Sequence, residues 1–264
     1  MATLVSFHAH PDDESIQTAG TLVKAAAAGH RTVLVFATRG EHGEVDDGFL
    51  DDEEALWERR TAETHRSADI LGVSRVEFLG YRDSGMMGTP ENDLPGSFWS
   101  ADLEEAAERL AAILRDESAD ILTVYDSDGG YGHPDHIQVH RVGIRAAELA
   151  GVPHVYEVTM NRDHIRVMME HAVASGQMPA EDIPDVTEMD SFGRPDAVIT
   201  TRVDVREQLP QKRASMAAHA SQISETSFFL AMPHEAFEGT FGTEWYIRRG
   251  APDGHRDDDL FAHL

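Results

Sequence analysis

The sequence predicts an α/β fold with a mostly parallel, doubly wound sheet and an elaborated C-terminal third. Three observations carry this. Short apolar runs alternate with helical patterns through the first 150 residues, hairpin signals are scarce, and 264 residues suffice for one large core. A chain of this size buries roughly three-quarters of its unfolded surface and needs no staples to fold.

Leu4 to Ala9 reads as the first strand, followed by a helix from Glu14 to Ala28 that ends at Gly29. Thr32 to Ala37 is the second strand, and a loop then runs from Arg39 to Glu44. A charged helix from Asp52 to Leu71 stops at Gly72, and Val76 to Leu79 is a short strand. Leu103, Ala106, Ala107, Leu110, Ile113 and Leu114 recur at helical spacing, with Ser100 as the expected N-cap. Asp120 to Tyr125 is the fourth strand and His133 to Leu149 its following helix. Beyond Gly151 the pattern loosens: His154 to Val158, Ala197 to Thr201 and Glu244 to Ile247 read as strands, and Val205 to Ser221 as a helix. The acidic, proline-containing stretch from Gly176 to Arg194 reads as an excursion that covers something. The expectation is a single domain, with a Rossmann-like core over 1–160 and an elaboration over 161–264.

Charge excludes several functions. Lys and Arg total 22 against 48 Asp and Glu, a formal net charge of −26 with a pI near 4.8. Such a surface repels phosphate backbones and anionic lipid heads, so neither nucleic acid nor membrane is an expected partner. The absence of cysteine removes disulfides, thiolate metal sites and a cysteine nucleophile. The first residues lack the basic region of a signal peptide, and no apolar run approaches a membrane span. The expected compartment is the cytoplasm; a homo-oligomer remains open.

Two segments echo each other: Ala9-His10-Pro11-Asp12-Asp13-Glu14 and Gly132-His133-Pro134-Asp135-His136-Ile137. Each follows an apolar strand and opens a helix, so both arrive at the carboxyl edge of the sheet, where ligands of open α/β folds collect. Either alone is readable as a helix cap. Together they offer three histidines and three aspartates, a mixture that packing does not call for. Two histidines and one carboxylate leave coordination positions open for water and substrate, which suits catalytic zinc and equally non-heme Fe(II). Two adjacent aspartates do not readily share one ion, which suggests one ligand and one base.

These two segments resemble the LmbE-like, or PIG-L, family of zinc-dependent N-deacetylases. The loop Gly80 to Met86 and the stretches Lys212 to Ala214 and His219 to Gln222 extend the resemblance. It implies His10, Asp13 and His136 as ligands of Zn²⁺, with Fe²⁺ as the alternative ion. It implies Asp12 as general base for the attacking water. His133, oriented by Asp135, would stabilise or protonate the tetrahedral intermediate. Tyr131 matches a mobile tyrosine that polarises the scissile carbonyl, and Arg82 an arginine that reaches substrate. The implied reaction removes an acyl group, most often acetyl, from the nitrogen of an amino-sugar conjugate such as N-acetylglucosaminyl-inositol. Cleavage of mycothiol S-conjugates and deacetylation of a glycosylated natural product are the enzymatic alternatives. A metal-dependent protein that binds its ligand without turnover is the non-enzymatic one. Glu41 and Glu44 lie in a loop on the motif side of the sheet, where they read first as part of the acidic surface and second as a pocket rim; His8 is expected buried beside the site, His140 supporting the helix of His136, and His219 close behind.

Overall fold

The computed structural model describes residues 1–174 and 192–264. A seven-stranded sheet runs through it in the order β3-β2-β1-β4-β5-β7-β6. β1 (Thr3–His8), β2 (Arg31–Phe36), β3 (Arg75–Phe78), β4 (Ile121–Tyr125) and β5 (His154–Thr159) are parallel. β7 (Thr243–Arg248) is antiparallel to both β5 and β6 (Thr201–Asp204). Every residue of β4 is buried, and so are the last five of β1 and of β2. Strands covered on both faces read as continuous apolar runs, which is why they were legible.

From β1 the chain steps outward through β2 to β3, then returns across to β4 and β5. Right-handed crossovers put the connecting helices of those two excursions on opposite faces. Accordingly α2 (Ala19–Ala27) and α3 (Leu56–Leu71) pack together, and α4 (Leu103–Asp116) packs on α5 (Pro134–Ala150). The strand order reverses between β1 and β4, and a crevice opens there at the carboxyl edge.

Several boundaries differ from expectation. The first helix is two: α1 (Asp13–Gln17) ends at Thr18, whose hydroxyl lies 3.0 Å from His8 Nε2. α3 begins at Leu56 rather than Asp52, where the Ala55 amide donates to Glu58 Oε2 at 3.1 Å. The N-cap of α4 is Asp102, whose carboxylate accepts from the Glu105 amide at 2.9 Å; Ser100 instead bonds to Ser97. The strand expected at Ala197 to Thr201 is a 3₁₀ turn (Asp196–Val198) followed by β6. A helix, α6 (Arg162–Ala174), was not anticipated. Of the stretch Gly176 to Arg194, positions 176–191 lie outside the described residues. Its far end packs back on the core: the Gly193 amide donates to the Gly130 carbonyl at 2.8 Å, and Arg194 pairs with Asp128 at 2.8 Å.

The last third is tied to the core by a buried ion pair. Lys212 of α7 (Leu209–Ala218) meets Glu244 of β7 at 2.6 Å, with side chains 1% and 2% exposed. The same carboxylate accepts the amides of Gly20 and Thr21 at 2.8 Å, in the first turn of α2. Two short helices, α8 (Phe228–Ala231) and α9 (His234–Phe241), complete the small second apolar cluster. Among the described residues no helix is long and apolar enough to cross a membrane. Glu244→Gln strands a buried lysine, a change that costs about 3–5 kcal/mol in such pairs. Chemical denaturation of this variant should show a loss of that size within one cooperative transition. A separate early transition of residues 161–264 would instead mark them as an independent unit.

Candidate metal-dependent active site

Both His-Pro-Asp segments open into the crevice, one from the end of β1 and one after β4. The first turns sharply. Asp12 adopts φ 102°, ψ −28°, a left-handed conformation that costs a non-glycine residue about 1–3 kcal/mol. It is held there by its amide donating to Glu14 Oε2 at 3.0 Å and by Ser15 Oγ donating to its carbonyl at 2.7 Å. The turn sends the two neighbouring carboxylates to different partners.

Asp13 faces the histidines. Its Oδ2 lies 3.5 Å from His10 Nδ1 and its Oδ1 3.4 Å from His136 Nε2. The far nitrogen of each imidazole is fixed. His136 Nδ1 lies 3.2 Å from the Gly129 carbonyl, and His10 Nε2 is 3.2 Å from Asp135 and 3.7 Å from Asp83. Gly129, at φ 67°, must be glycine, since a Cβ there would come within 2.6 Å of His136 Cβ. Burial raises the Asp13 pKa, but the charge of His136 and bonds from His10 and His136 outweigh it and hold the carboxyl well below its ordinary value.

Asp12 instead meets Arg60, at 3.3 Å from its Nη2. Arg60 is buried and also donates to the Pro11 carbonyl and, at 2.9 Å, to that of Gly40. Burial pushes Asp12 up to about 6, against the pull of Arg60. A carboxylate poised there accepts a proton readily near neutrality.

His133 caps α5. Its Nδ1 accepts the Asp135 amide at 3.1 Å, leaving Nε2 to carry the hydrogen of the neutral ring. Burial first, then the charges of His10 and His136, push its pKa down to about 3. Here the sequence reading needs a correction: the Asp135 carboxylate does not orient His133. It takes His10 Nε2, the Ser84 amide at 2.9 Å and the Ser84 hydroxyl, while only its backbone reaches His133. The Tyr131 hydroxyl lies 3.5 Å from His136 Nε2, and the residue is 43% exposed.

Arg82 is not drawn into this cluster; its side chain is exposed, without a hydrogen bond or ion pair to any described residue. Asp83 is the member of that loop that reaches His10. His8 is buried between Tyr125 and Thr18, His140 Nδ1 lies 2.9 Å from the Tyr125 carbonyl, and His219 Nε2 lies 2.6 Å from Glu14. Glu41 accepts the Asp83 amide at 3.1 Å, whereas Glu44 contributes its carbonyl to Gln222. Sequence reasoning missed Asp83, Ser84 and Arg60. The available signal for the first two was position, in a loop leaving the carboxyl end of β3.

The donor set fits a divalent cation. Three carboxylates, of Asp13, Asp83 and Asp135, crowd one imidazole. Burial lowers the His10 pKa, but Asp83 and the bonds from Asp13 and Asp135 overcome it and hold it well above its ordinary value, the mark of a site that favours positive charge. A metal ion replaces a ligand's proton when it binds. Nδ1 of His10 and Nε2 of His136 each face the Asp13 carboxylate, at 3.5 and 3.4 Å, and each imidazole is braced from behind in the way metal-binding histidines usually are.

The sequence model of the PIG-L family, described as GlcNAc-PI de-N-acetylase, matches residues 5–147. A protein of Acidothermus cellulolyticus, named 1D-myo-inositol 2-acetamido-2-deoxy-alpha-D-glucopyranoside deacetylase, is 42% identical over 280 residues, covering 98% of this chain and 94% of the relative. The chain belongs to the PIG-L family. It is a hydrolase of N-acyl amides. Among solved structures, N,N'-diacetylchitobiose deacetylase from Pyrococcus horikoshii superposes with a TM-score of 0.61 at 20% identity, over 93% of this chain and 83% of that one. A 4-carboxy-2-hydroxymuconate hydratase from Pseudomonas putida does so with a TM-score of 0.62 at 19% identity, over 97% and 99%. At those identities the likeness shows the fold alone, and a fold hosts more than one chemistry.

If Asp135 acts by bracing His10, Asp135→Asn weakens metal affinity by about 10–100-fold. Competition with a chromophoric chelator measures this. Unchanged affinity with lowered turnover would return Asp135 to the service of His133.

Proposed function

We propose that this enzyme removes the acetyl group from the amino sugar of an N-acetylglucosaminyl-inositol, releasing acetate and the free amine, with Zn²⁺ held by His10, Asp13 and His136. The observation that carries the reading is the divergence of Asp12 from Asp13, which places a second carboxylate beside the ligand set but outside it. A binding protein has no use for such a group; a hydrolase needs it as base. The substrate class is supported by the Acidothermus deacetylase, which matches nearly the whole chain.

Zinc, when bound, polarises the amide carbonyl and lowers the pKa of water toward neutrality. Asp12 takes the proton of the attacking water, its elevated pKa matched to the task. Arg60 fixes its carboxylate, so the base is aimed before substrate arrives. His133, neutral and hydrogen-bearing at Nε2, donates to the oxygen on which negative charge develops, and the Tyr131 hydroxyl meets the same oxygen from the open side. The proton on Asp12 then passes to the departing amine. Arg82, unpaired and exposed, is available to the hydroxyls of the sugar conjugate through its planar fork.

Metal content per chain after anaerobic purification and dialysis tests the site, with zinc bound and retained by Asp12→Ala. That variant should lose about 10²–10⁴-fold in kcat on N-acetylglucosaminyl-inositol; an unchanged kcat removes Asp12 from the role of base. His136→Ala should lose one equivalent of metal relative to the wild type together with its activity, and an unchanged metal content would strike it from the ligand set.

A further inference from the structure

A second group of metal-binding side chains lies at the far edge of the sheet. His255 Nε2 stands 2.5 Å and His263 Nε2 2.8 Å from the same oxygen, Oδ2 of Asp257. One donor atom from each of the three lies within 4.8 Å of the others. Around a tetrahedral zinc, with metal–ligand bonds of about 2.0–2.2 Å, neighbouring donors lie about 3.3 Å apart. Small rotations of the two imidazoles therefore close the set. His263 keeps 31% of its side chain exposed, which gives it freedom to rotate and gives an ion access.

The backbone beneath is anchored. The Asp257 amide donates to the Thr200 carbonyl at 2.8 Å, and the Arg202 amide donates to the Asp257 carbonyl at 3.0 Å, so this segment pairs with β6. Six residues before His263 the chain is thus fixed to the sheet, and closer still Leu260 is buried, its carbonyl accepting from Tyr156 Oη at 2.9 Å. Phe261 stacks on His30 at 4.0 Å between ring centres. Beside the cluster, His154 feels the charge of His263, and its buried Nδ1 has no hydrogen-bond partner among the described residues.

β6 is the outermost strand, three strands from β4 and so roughly 14 Å from it across the sheet at about 4.8 Å per strand. The group shares no residue with the site in the crevice. An exposed sheet edge is open to pairing with other chains unless something covers it, and here segment 255–263 does.

We propose that His255, Asp257 and His263 form a second, structural site for a divalent transition-metal cation, which clamps this segment over the edge of β6. Two imidazoles and one carboxylate, with water completing the shell, are the donors that zinc accepts. The chain's net charge of −26 favours cation approach.

Equilibrium dialysis of the full chain against micromolar free Zn²⁺ at neutral pH counts the sites. The wild type should bind two equivalents. His263→Ala and Asp257→Asn should each bind one and deacetylate at the wild-type rate, whereas His136→Ala should bind one and be inactive. Co²⁺ added to His136→Ala should give visible d–d absorption that His136→Ala/His263→Ala lacks. Zn²⁺ should also slow hydrogen exchange at the Asp257 and Arg202 amides of His136→Ala. No bound equivalent in a well-folded His136→Ala, or an unchanged count in a well-folded His263→Ala, overturns the second site; neither result bears on the catalytic one.

Discussion

Asp13 is the carboxylate through which the two halves of the site meet. One oxygen faces a histidine that follows β1 and the other a histidine in the first turn of α5, 126 positions apart in sequence. Nothing local brings them together; the pairing of β1 with β4 does. That pairing is where strand order reverses, so no crossover helix fills the space above these two strand ends. The buried apolar strands fix the pairing, the pairing leaves the crevice, and the crevice receives a buried cluster of carboxylates and imidazoles whose donors fit a cation.

Around Asp13 the supports come from separate elements. Asp83 and Ser84 leave β3, Gly129 precedes α5, and Arg60 rises from α3. Each contact fixes one atom: the Gly129 carbonyl selects the His136 tautomer, Asp135 fixes the face of His10, and the Asp135 amide decides which nitrogen of His133 bears hydrogen. Because the supports are spread over the chain, the site is as rigid as the sheet and the helices flanking it. The Tyr131 loop is the exception: it is glycine-rich and held partly by Gly193 and Arg194, from beyond the segment that follows α6.

Much of this was legible in the sequence because the signals were local. Strand positions followed from apolar runs, and the His-Pro-Asp repeats named the histidines and aspartates that the fold then gathers. What was not legible depended on direction rather than identity. Asp135 was expected to serve His133, two positions away, and instead serves His10 across the crevice. Arg60 reads as one charge of a charged helix, since nothing in its neighbourhood marks it as the residue whose guanidinium is buried against Pro11 and Gly40. Ser100 and Asp102 are equally good caps on paper, and the helix start selects the second. The cluster of His255, Asp257 and His263 carries no strand-then-helix signature, so only the bridge to β6 reveals it.

The backbone at Asp12 shows how the proposed base and the proposed ligand can sit next to each other at all. Adjacent residues on a regular strand point to opposite faces, and on a helix they are about 100° apart; either way both carboxylates would be poorly placed for one crevice. A left-handed residue between strand and helix lets Asp13 begin α1 with its carboxylate on the histidines while Asp12 turns to Arg60. Glycine would adopt that conformation without strain but would carry no base. The strain is therefore the consequence of requiring a side chain there, and the bonds from Glu14 and Ser15 offset it. Glu14 in turn is buried against His219 and Ser67, which lie on the elaborated third and on α3. The conformation of the Asp12 turn thus rests on packing that the core strands and their motifs do not supply, and this ties the last third of the chain to the crevice.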